Sequence, residues 1–377
     1  MTTILHTADV HLDRTFGGSG MKTDIANNRR QELRDALRRF IDLALEQKVD
    51  AVTIGGDLYE HERSTLDTGH FLRQQLERLA PIPAFIAPGN HDPYVPESLY
   101  RQIEWPPNVT IFRDPAFQPV PLSDGLTLWG AGHNGPAMRD NLLKGFHVSG
   151  PGRHLLLFHG SDAHAVPEGK PAHAPFQPTD ISATGAHFAL LGHYHQARLS
   201  PTDDPTFAYP GTPEPLGFDE EGDHFVLLVR VSQDAISPQL LPFNRINYRT
   251  FHSDLSSILT SDEIRAAIES FAPTEEGAAT SLIARIILQG QLQPEVDFDR
   301  AGLLNACAER FAFLDIVDST YPAYDYDELA EESTTKGTFV RLIRRKMEAL
   351  SGSDLEAAET ALVYGLDAFD KREVRPR

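Results

Sequence analysis

Five short stretches of this sequence set Asp, His or Asn directly after an apolar run. They are HTADVHLD with Asp9 and His11, IGGDLYE with Asp57, APGNHD with Asn90, His91 and Asp92, LLLFHG with His159, and FALLGHYHQ with His193 and His195. The last is the most telling. His193 and His195 stand two positions apart where a buried strand should end, so they face the same side. One such histidine is ordinary in a core; two beside a glycine point to a shared ligand. Together the stretches offer imidazole nitrogens and side-chain oxygens without a thiolate, a mixture that suits manganese, iron or zinc better than calcium or magnesium. The inventory is large enough for two divalent ions, with Asp57 as a carboxylate able to bridge them. Buried carboxylates without compensation are too costly to gather in this way by chance.

The elements that must carry these residues are readable from the same pattern. TTILHTA, AVTIGG, PAFIAPG, NVTIF, LTLWGAG, HLLLFHG, HFALLGH and HFVLLVRV read as strands within residues 1 to about 250, with helices after the first and second. Such alternation predicts an α/β fold whose ligand site lies at the carboxyl ends of the strands. The paired glycines before Asp57 allow a tight turn there. In the first helix, Leu33, Leu37, Phe40, Ile41 and Ala44 form the apolar face, and Arg30, Arg34 and Arg38 a basic stripe. That stripe, and the basic run from Arg341 to Lys346, read as solvated helix faces rather than phosphate contacts. GGSGMKT, residues 17–23, lacks the Gly-Lys-Ser/Thr ending of a nucleotide-binding loop and reads as a plain loop. His6, His133, His164, His173 and His187 each read as structural or surface histidines.

Composition sets the frame. The 377 residues are 41% hydrophobic and 23% charged, enough for two domains. With no secretory signal pattern and no apolar run long enough to span a bilayer, the expectation is a cytoplasmic protein without membrane contact. Cys307, the one cysteine, cannot form an internal disulfide and reads as a small core residue. The net charge of −20 lacks the basic footprint of a nucleic-acid binder. Two bound divalent ions would make the cleft floor locally positive, so the total does not exclude DNA.

In order and spacing, D-x-H, G-G-D, G-N-H-D, H-G and G-H-x-H resemble the calcineurin-like metallophosphoesterases over roughly the first 250 residues. ILHTADVHLDRTFGG, IGGDLYE and YPGTPEPLGFDEEGDHFVLLVRV resemble, within that superfamily, the DNA repair exonuclease branch, SbcD/Mre11-like and of YhaO type. The resemblance implies a four-layer α/β sandwich with a smaller C-terminal α/β cap and a helical tail. It implies one metal on Asp9, His11, Asp57 and His195, a second on Asp57, Asn90, His159 and His193, and manganese as the ion. His91 matches the family histidine that faces the scissile phosphate, and Asp92 is the nearest sequence candidate to orient it. Two adjacent ions clamp an anionic phosphodiester, acidify bound water and stabilise the leaving oxygen without a covalent intermediate.

One position departs from the pattern. In archaeal and eukaryotic Mre11 nucleases a second histidine follows the bridging aspartate by three positions; here Glu60 stands there and His61 comes next. After residue 250, LSSILTSDEIRAAIESF and AGLLNACAERF read as helices and SLIARIILQG and AFLDIVDS as strands, predicting a capping unit at about 251–320. Residues 321–377 read as a helical tail, with Ser353 and Glu356 as a capping box. The resemblance gives that tail a Rad50-like (SMC-like) ATPase partner and the protein DNA ends as substrate, with a homodimer as a further expectation. The rival readings are a small-nucleotide phosphodiesterase or phosphatase of the same fold, and a DNA-binding subunit with a slow site.

Overall fold

Two six-stranded sheets and the helices on them follow from the alternation of apolar runs in the first 250 residues. The computed structural model describes residues 1–17, 21–166, 171–274, 281–293, 296 and 298–370; of the glycine-rich stretch 17–23, residues 18–20 lie outside these. The strands of the first sheet are β1 (Thr2–Thr7), β2 (Ala51–Ile54), β3 (Ala84–Ile86) and β4 (Val109–Ile111), joined by two later ones. The second sheet holds β5 (Gln118–Ser123), β6 (Leu126–Gly130), β7 (Arg153–His159), β8 (Phe188–Gly192), β9 (Arg198–Ser200) and β10 (Phe207–Tyr209). With β11 (Phe225–Val231) and β12 (Ile236–Pro242), the orders are β12-β11-β1-β2-β3-β4 and β5-β6-β7-β8-β10-β9. β1 to β4 run parallel, as do β6, β7 and β8, so their carboxyl ends gather at one edge of each sheet.

Strand periodicity makes the layers. Leu155 and Leu157 of β7 join Ile4, Phe85 and Leu190 in the core between the two sheets, while Leu156 and Phe158 pack on the opposite face. Each such side chain, fully buried, contributes about 1.5–3 kcal/mol. The outer face of the first sheet is covered by α1 (Thr23–Glu46) and α2 (Leu66–Glu77), and α3 (Leu99–Gln102) follows β3. The outer face of the second sheet carries α4 (Pro178–Ala183) through the buried Ile181. The result is the four-layer α/β sandwich expected.

In α1 the predicted apolar face is the buried one, Leu33, Leu37, Phe40, Ile41 and Ala44. The basic stripe is engaged within the protein: Arg34 pairs with Asp67 at 2.8 Å, Arg38 with Asp35, and Arg30 with Asn27. All eight strands read from the first 250 residues are present, but β5, β9, β10 and β12 were not legible. β5 and β12 are sheet edges, and each contains proline, which an edge tolerates because one row of its backbone groups needs no partner.

Two compact units are distinguished: Met1–Phe251 with Phe271–Ile286 and Leu304–Asp315, and His252–Ser270 with Ile287–Leu303 and Ile316–Arg377. A third sheet orders β13 (Asn247–Asp254), β14 (Leu282–Leu292) and β15 (Phe313–Pro322). The second unit contains α5 (Ser261–Glu269), the first turns of α6 (Arg300–Cys307), then α7 (Tyr326–Glu331), α8 (Thr335–Met347) and α9 (Ser353–Phe369). Its helical tail has a small core of Val340, Leu362 and Leu366. The capping box expected from Ser353 and Glu356 does not form. Gly352, at φ 59°, is the N-cap residue of α9 and no side chain caps it. A capping box does close at α5, between Thr260 and Glu263. Arg344 pairs with Asp327 at 2.6 Å, and Arg341 donates to the Glu332 carbonyl, so this basic run is also partly engaged. Cys307 is fully buried, and no helix among the described residues is long and apolar enough to cross a membrane.

Candidate metal centre

The loops that follow β1 and β2 are laced together before any side chain is considered. Asp9 N–H donates to the Gly56 carbonyl at 3.0 Å, His11 N–H to the Asp57 carbonyl at 2.9 Å, and Leu12 N–H to the Leu58 carbonyl at 3.0 Å. The loop after β8 joins them, because His193 N–H donates to the Asp9 carboxylate at 3.0 Å. This geometry needs unusual backbone angles: φ is 53° at Asp9, 51° at His11, 51° at Asp57 and 117° at His193. Asp and His accept the left-handed region better than most residues, but His193 lies beyond it and is strained. Gly56, at φ 95°, and Gly89 make the close approach possible. A Cβ on Gly89 would stand 2.3 Å from Asp57 Oδ1.

Among the described residues, three side-chain groups converge to within 4.8 Å: Asp9 with His11 and His195, His11 with Asp57 and His91, and Asp57 with His159 and His193. The ring nitrogens crowd together. His11 Nε2 lies 3.2 Å from His195 Nε2, and His159 Nε2 lies 3.1 Å from His193 Nδ1 and 3.0 Å from Asn90 Oδ1. Asp57 Oδ2 stands between the groups, 3.8 Å from His11 Nε2 and 3.4 Å from His159 Nε2. The opposite ring nitrogens are held by acceptors, which fixes the tautomers: His159 Nδ1 on the Gly55 carbonyl at 2.8 Å, His11 Nδ1 on Glu60 at 3.0 Å, His195 Nδ1 on Glu220 at 2.6 Å. Each of these rings therefore turns a lone pair inward.

Electrostatics fits a cation in the same place. Burial pushes the Asp9, Asp57 and Asp92 carboxyls above their ordinary range, Asp57 to about 8, with repulsion from Asp57 adding to the rise at Asp9. Burial also pushes the rings down, His11 to about 4, His193 to about 3, and His159 well below the usual value. Neutral imidazoles and crowded carboxylates are what divalent transition metals bind, and their positive charge offsets the crowding. The donor set matches the expected mixture of imidazole, carboxylate and amide oxygen.

The expected role of Asp92 is corrected by its contacts. Its carboxylate accepts from the backbone N–H groups of Asp57, Leu58 and Gly89 at 2.9, 2.9 and 2.6 Å and from Tyr100 Oη at 2.5 Å, not from the His91 ring. It buttresses the two loops. Glu60 holds His91 instead, Oε2 lying 2.8 Å from Nδ1, while its other oxygen takes His11. Burial works against ionising Glu60, yet the hydrogen bonds from His11 and His91 hold its carboxyl far below the usual range. The same bond with Glu60 pushes His91 up to about 9. Glu220, which also accepts from Thr212 Oγ1 and the Leu216 N–H, was not legible as a site residue.

The five histidines read as structural divide. His6 is buried between Thr53 Oγ1 and the Leu191 carbonyl, at 2.9 and 3.0 Å, and His133 donates to the His159 carbonyl at 2.9 Å. His164 is exposed, and His187 accepts from the His154 N–H. His173 lies in the wall of the cavity over the centre. That cavity, about 590 Å³, is also lined by Asp57, Asn90, His91, His193 and His195.

A family model described as calcineurin-like phosphoesterase matches residues 2–197. The chain is 26% identical to the uncharacterized metallophosphoesterase YhaO of Bacillus subtilis, over 76% of this chain and 72% of that protein. It is 28% identical to the DNA double-strand break repair protein Mre11 of Haloferax volcanii, over 95% of this chain and 84% of that protein. It is also 25% identical to the Mre11 repair protein of Sulfurisphaera tokodaii, over 78% of this chain and 75% of that protein. The family match takes in more than half of the 377 residues and ends two positions past His195, so that all the converging histidines and aspartates lie inside it, and the chain belongs to the calcineurin-like phosphoesterase family.

Proposed function

We propose that this protein is a two-metal phosphodiesterase that processes DNA ends with a Rad50-like ATPase partner. The observation that carries the DNA reading is the extent of the likeness to Haloferax Mre11, which covers 95% of the chain and so runs far past the phosphoesterase match at 2–197. In this reading Asp9, His11, Asp57 and His195 hold one ion, Asp57, Asn90, His159 and His193 the other, and manganese is the metal. Two such ions, when bound, supply positive charge to the phosphodiester and acidify water beside it.

The chain's own groups do the rest. His91, with Nδ1 engaged by Glu60 and a side chain 41% exposed, offers Nε2 to the phosphoryl group and the leaving oxygen. Glu60 and Glu220 fix the rings of His11 and His195. Asp92 and Tyr100 hold the backbone of the loops in register. Residues 251–320 are assigned to DNA selection as a capping unit, and 321–377 to docking of the ATPase. The net charge of −20 favours a second reading, hydrolysis of a small nucleotide ester in the same cavity.

The test is manganese-dependent cleavage of end-labelled linear duplex DNA beside bis-p-nitrophenyl phosphate, comparing wild type with His91→Ala. Degradation from the ends, reduced about 10²–10⁴-fold in His91→Ala, supports the DNA reading. Cleavage of the small ester alone, with no gain on DNA when a Rad50-like ATPase is supplied, overturns it in favour of the second.

A further inference from the structure

We infer that His173 is a substrate-contacting residue, donating a hydrogen bond from Nε2 to the phosphoryl group on the His159 and His193 side of the centre. Its sequence neighbourhood suggests no role for it, and it is in none of the three converging groups among the described residues. Four observations place it. The ring lines the same cavity as His91 and Asn90. Its Nδ1 is shielded from solvent and has no hydrogen-bond partner among the described residues, so Nε2 is the nitrogen left to meet a ligand. Its ring centroid lies 5.5 Å from that of His193. Its backbone is tied in both directions to Ser161, two residues after His159: Ser161 N–H donates to the His173 carbonyl at 2.8 Å, and His173 N–H to Ser161 Oγ at 2.9 Å.

The ring chemistry sets the direction of the bond. A neutral imidazole carries one proton, and a proton on Nδ1 would have no acceptor. An anionic phosphoryl oxygen in the cavity supplies an acceptor at Nε2, so binding selects the Nε2–H tautomer. His91 and His173 then approach the substrate from two sides, the first beside His11, at 4.8 Å between ring centroids, the second beside His193. His173 makes this contact without a carboxylate behind it, unlike His91.

The inference rests on the phosphodiester reading of this cavity, and its test separates the two. Full-length wild type, His173→Ala and His173→Gln are loaded with manganese and compared in bound metal per chain, the Kd for inorganic phosphate by calorimetry, and kcat/KM on bis-p-nitrophenyl phosphate. Gln places an amide N–H near the position of Nε2. His173→Ala is expected to keep wild-type metal content but to weaken phosphate binding and kcat/KM by about tenfold to a hundredfold, with Gln restoring most of both. Wild-type values in His173→Ala, loss of metal from it, or a Gln variant as impaired as Ala would each overturn the inference. If wild type cleaves the small ester and not DNA, the DNA reading fails while His173 is still decided. If it cleaves neither, the phosphate Kd decides.

Discussion

The two histidine clusters of the centre have the same kinds of inward-facing donors but different backing. On the side of Asp9, the rings of His11 and His195 are each held by a carboxylate, Glu60 and Glu220. On the other side, His159 is held by the neutral Gly55 carbonyl, and the second inward donors are His193 and the Asn90 amide. A carboxylate behind an imidazole raises its basicity, whereas a peptide carbonyl mainly orients it. The difference teaches that the two proposed metal positions are unequal. The first should hold its ion more tightly, and the second should exchange.

The largest effect should come from Asp57, the group both clusters share. Asp57→Ala is expected to empty both positions and lower bis-p-nitrophenyl phosphate hydrolysis by about 10³-fold or more, read as metal per chain and kcat/KM. A variant that keeps one full equivalent of metal would show that the clusters are not joined through Asp57. A smaller effect isolates the difference in backing. Titrating the manganese-loaded protein with a chelator should release metal in two steps, and Glu220→Gln should weaken the tighter step by about 10- to 100-fold, bringing the two together. Single-step release from wild type would end the argument for asymmetry.

The smallest effect concerns His6, which is buried between Thr53 of β2 and Leu191 of β8 and belongs to neither cluster. Burial pushes its ring down to about 4 from an ordinary 6.5, so the folded state favours the neutral form. With the folded value below the unfolded one, its contribution is complete above pH 6.5 and declines as the pH falls toward 4. By linkage the loss is about 1 kcal/mol at pH 5.5. His6→Asn should flatten that part of the pH dependence of unfolding free energy while leaving metal content at neutral pH unchanged. An unaltered slope would remove His6 as its source.

What was legible in the sequence was whatever a single strand end carries. Asp9, His11, Asp57, Asn90, His159, His193 and His195 interrupt apolar runs, and parallel strands bring such ends to one edge, so they meet. What was illegible depends on pairs of loops. Glu60 stands out in the sequence only as a departure from the resembled pattern, and nothing local marks its reach to a histidine 31 positions away or that of Glu220 to one 25 positions away. Adjacency in the chain makes Asp92 the nearest sequence candidate to orient His91, yet its carboxylate turns to the N–H groups of Asp57 and Leu58 in the loop after β2 and of Gly89 in its own loop. The edge strands β5 and β12 are illegible because periodicity marks buried strands, and these two are partly exposed and interrupted by proline.

The positive φ angles at Asp9, His11, Asp57 and His193 set a limit on how this protein can be improved. Glycine would adopt each of those angles with less strain, and at the two aspartates it would also remove a crowded buried carboxylate. The residues proposed to carry the chemistry are therefore the ones a screen for heat resistance of the metal-free protein would discard. Directed evolution of this scaffold needs a catalytic readout alongside a stability one, because here thermostability and activity select for opposite substitutions at the same positions.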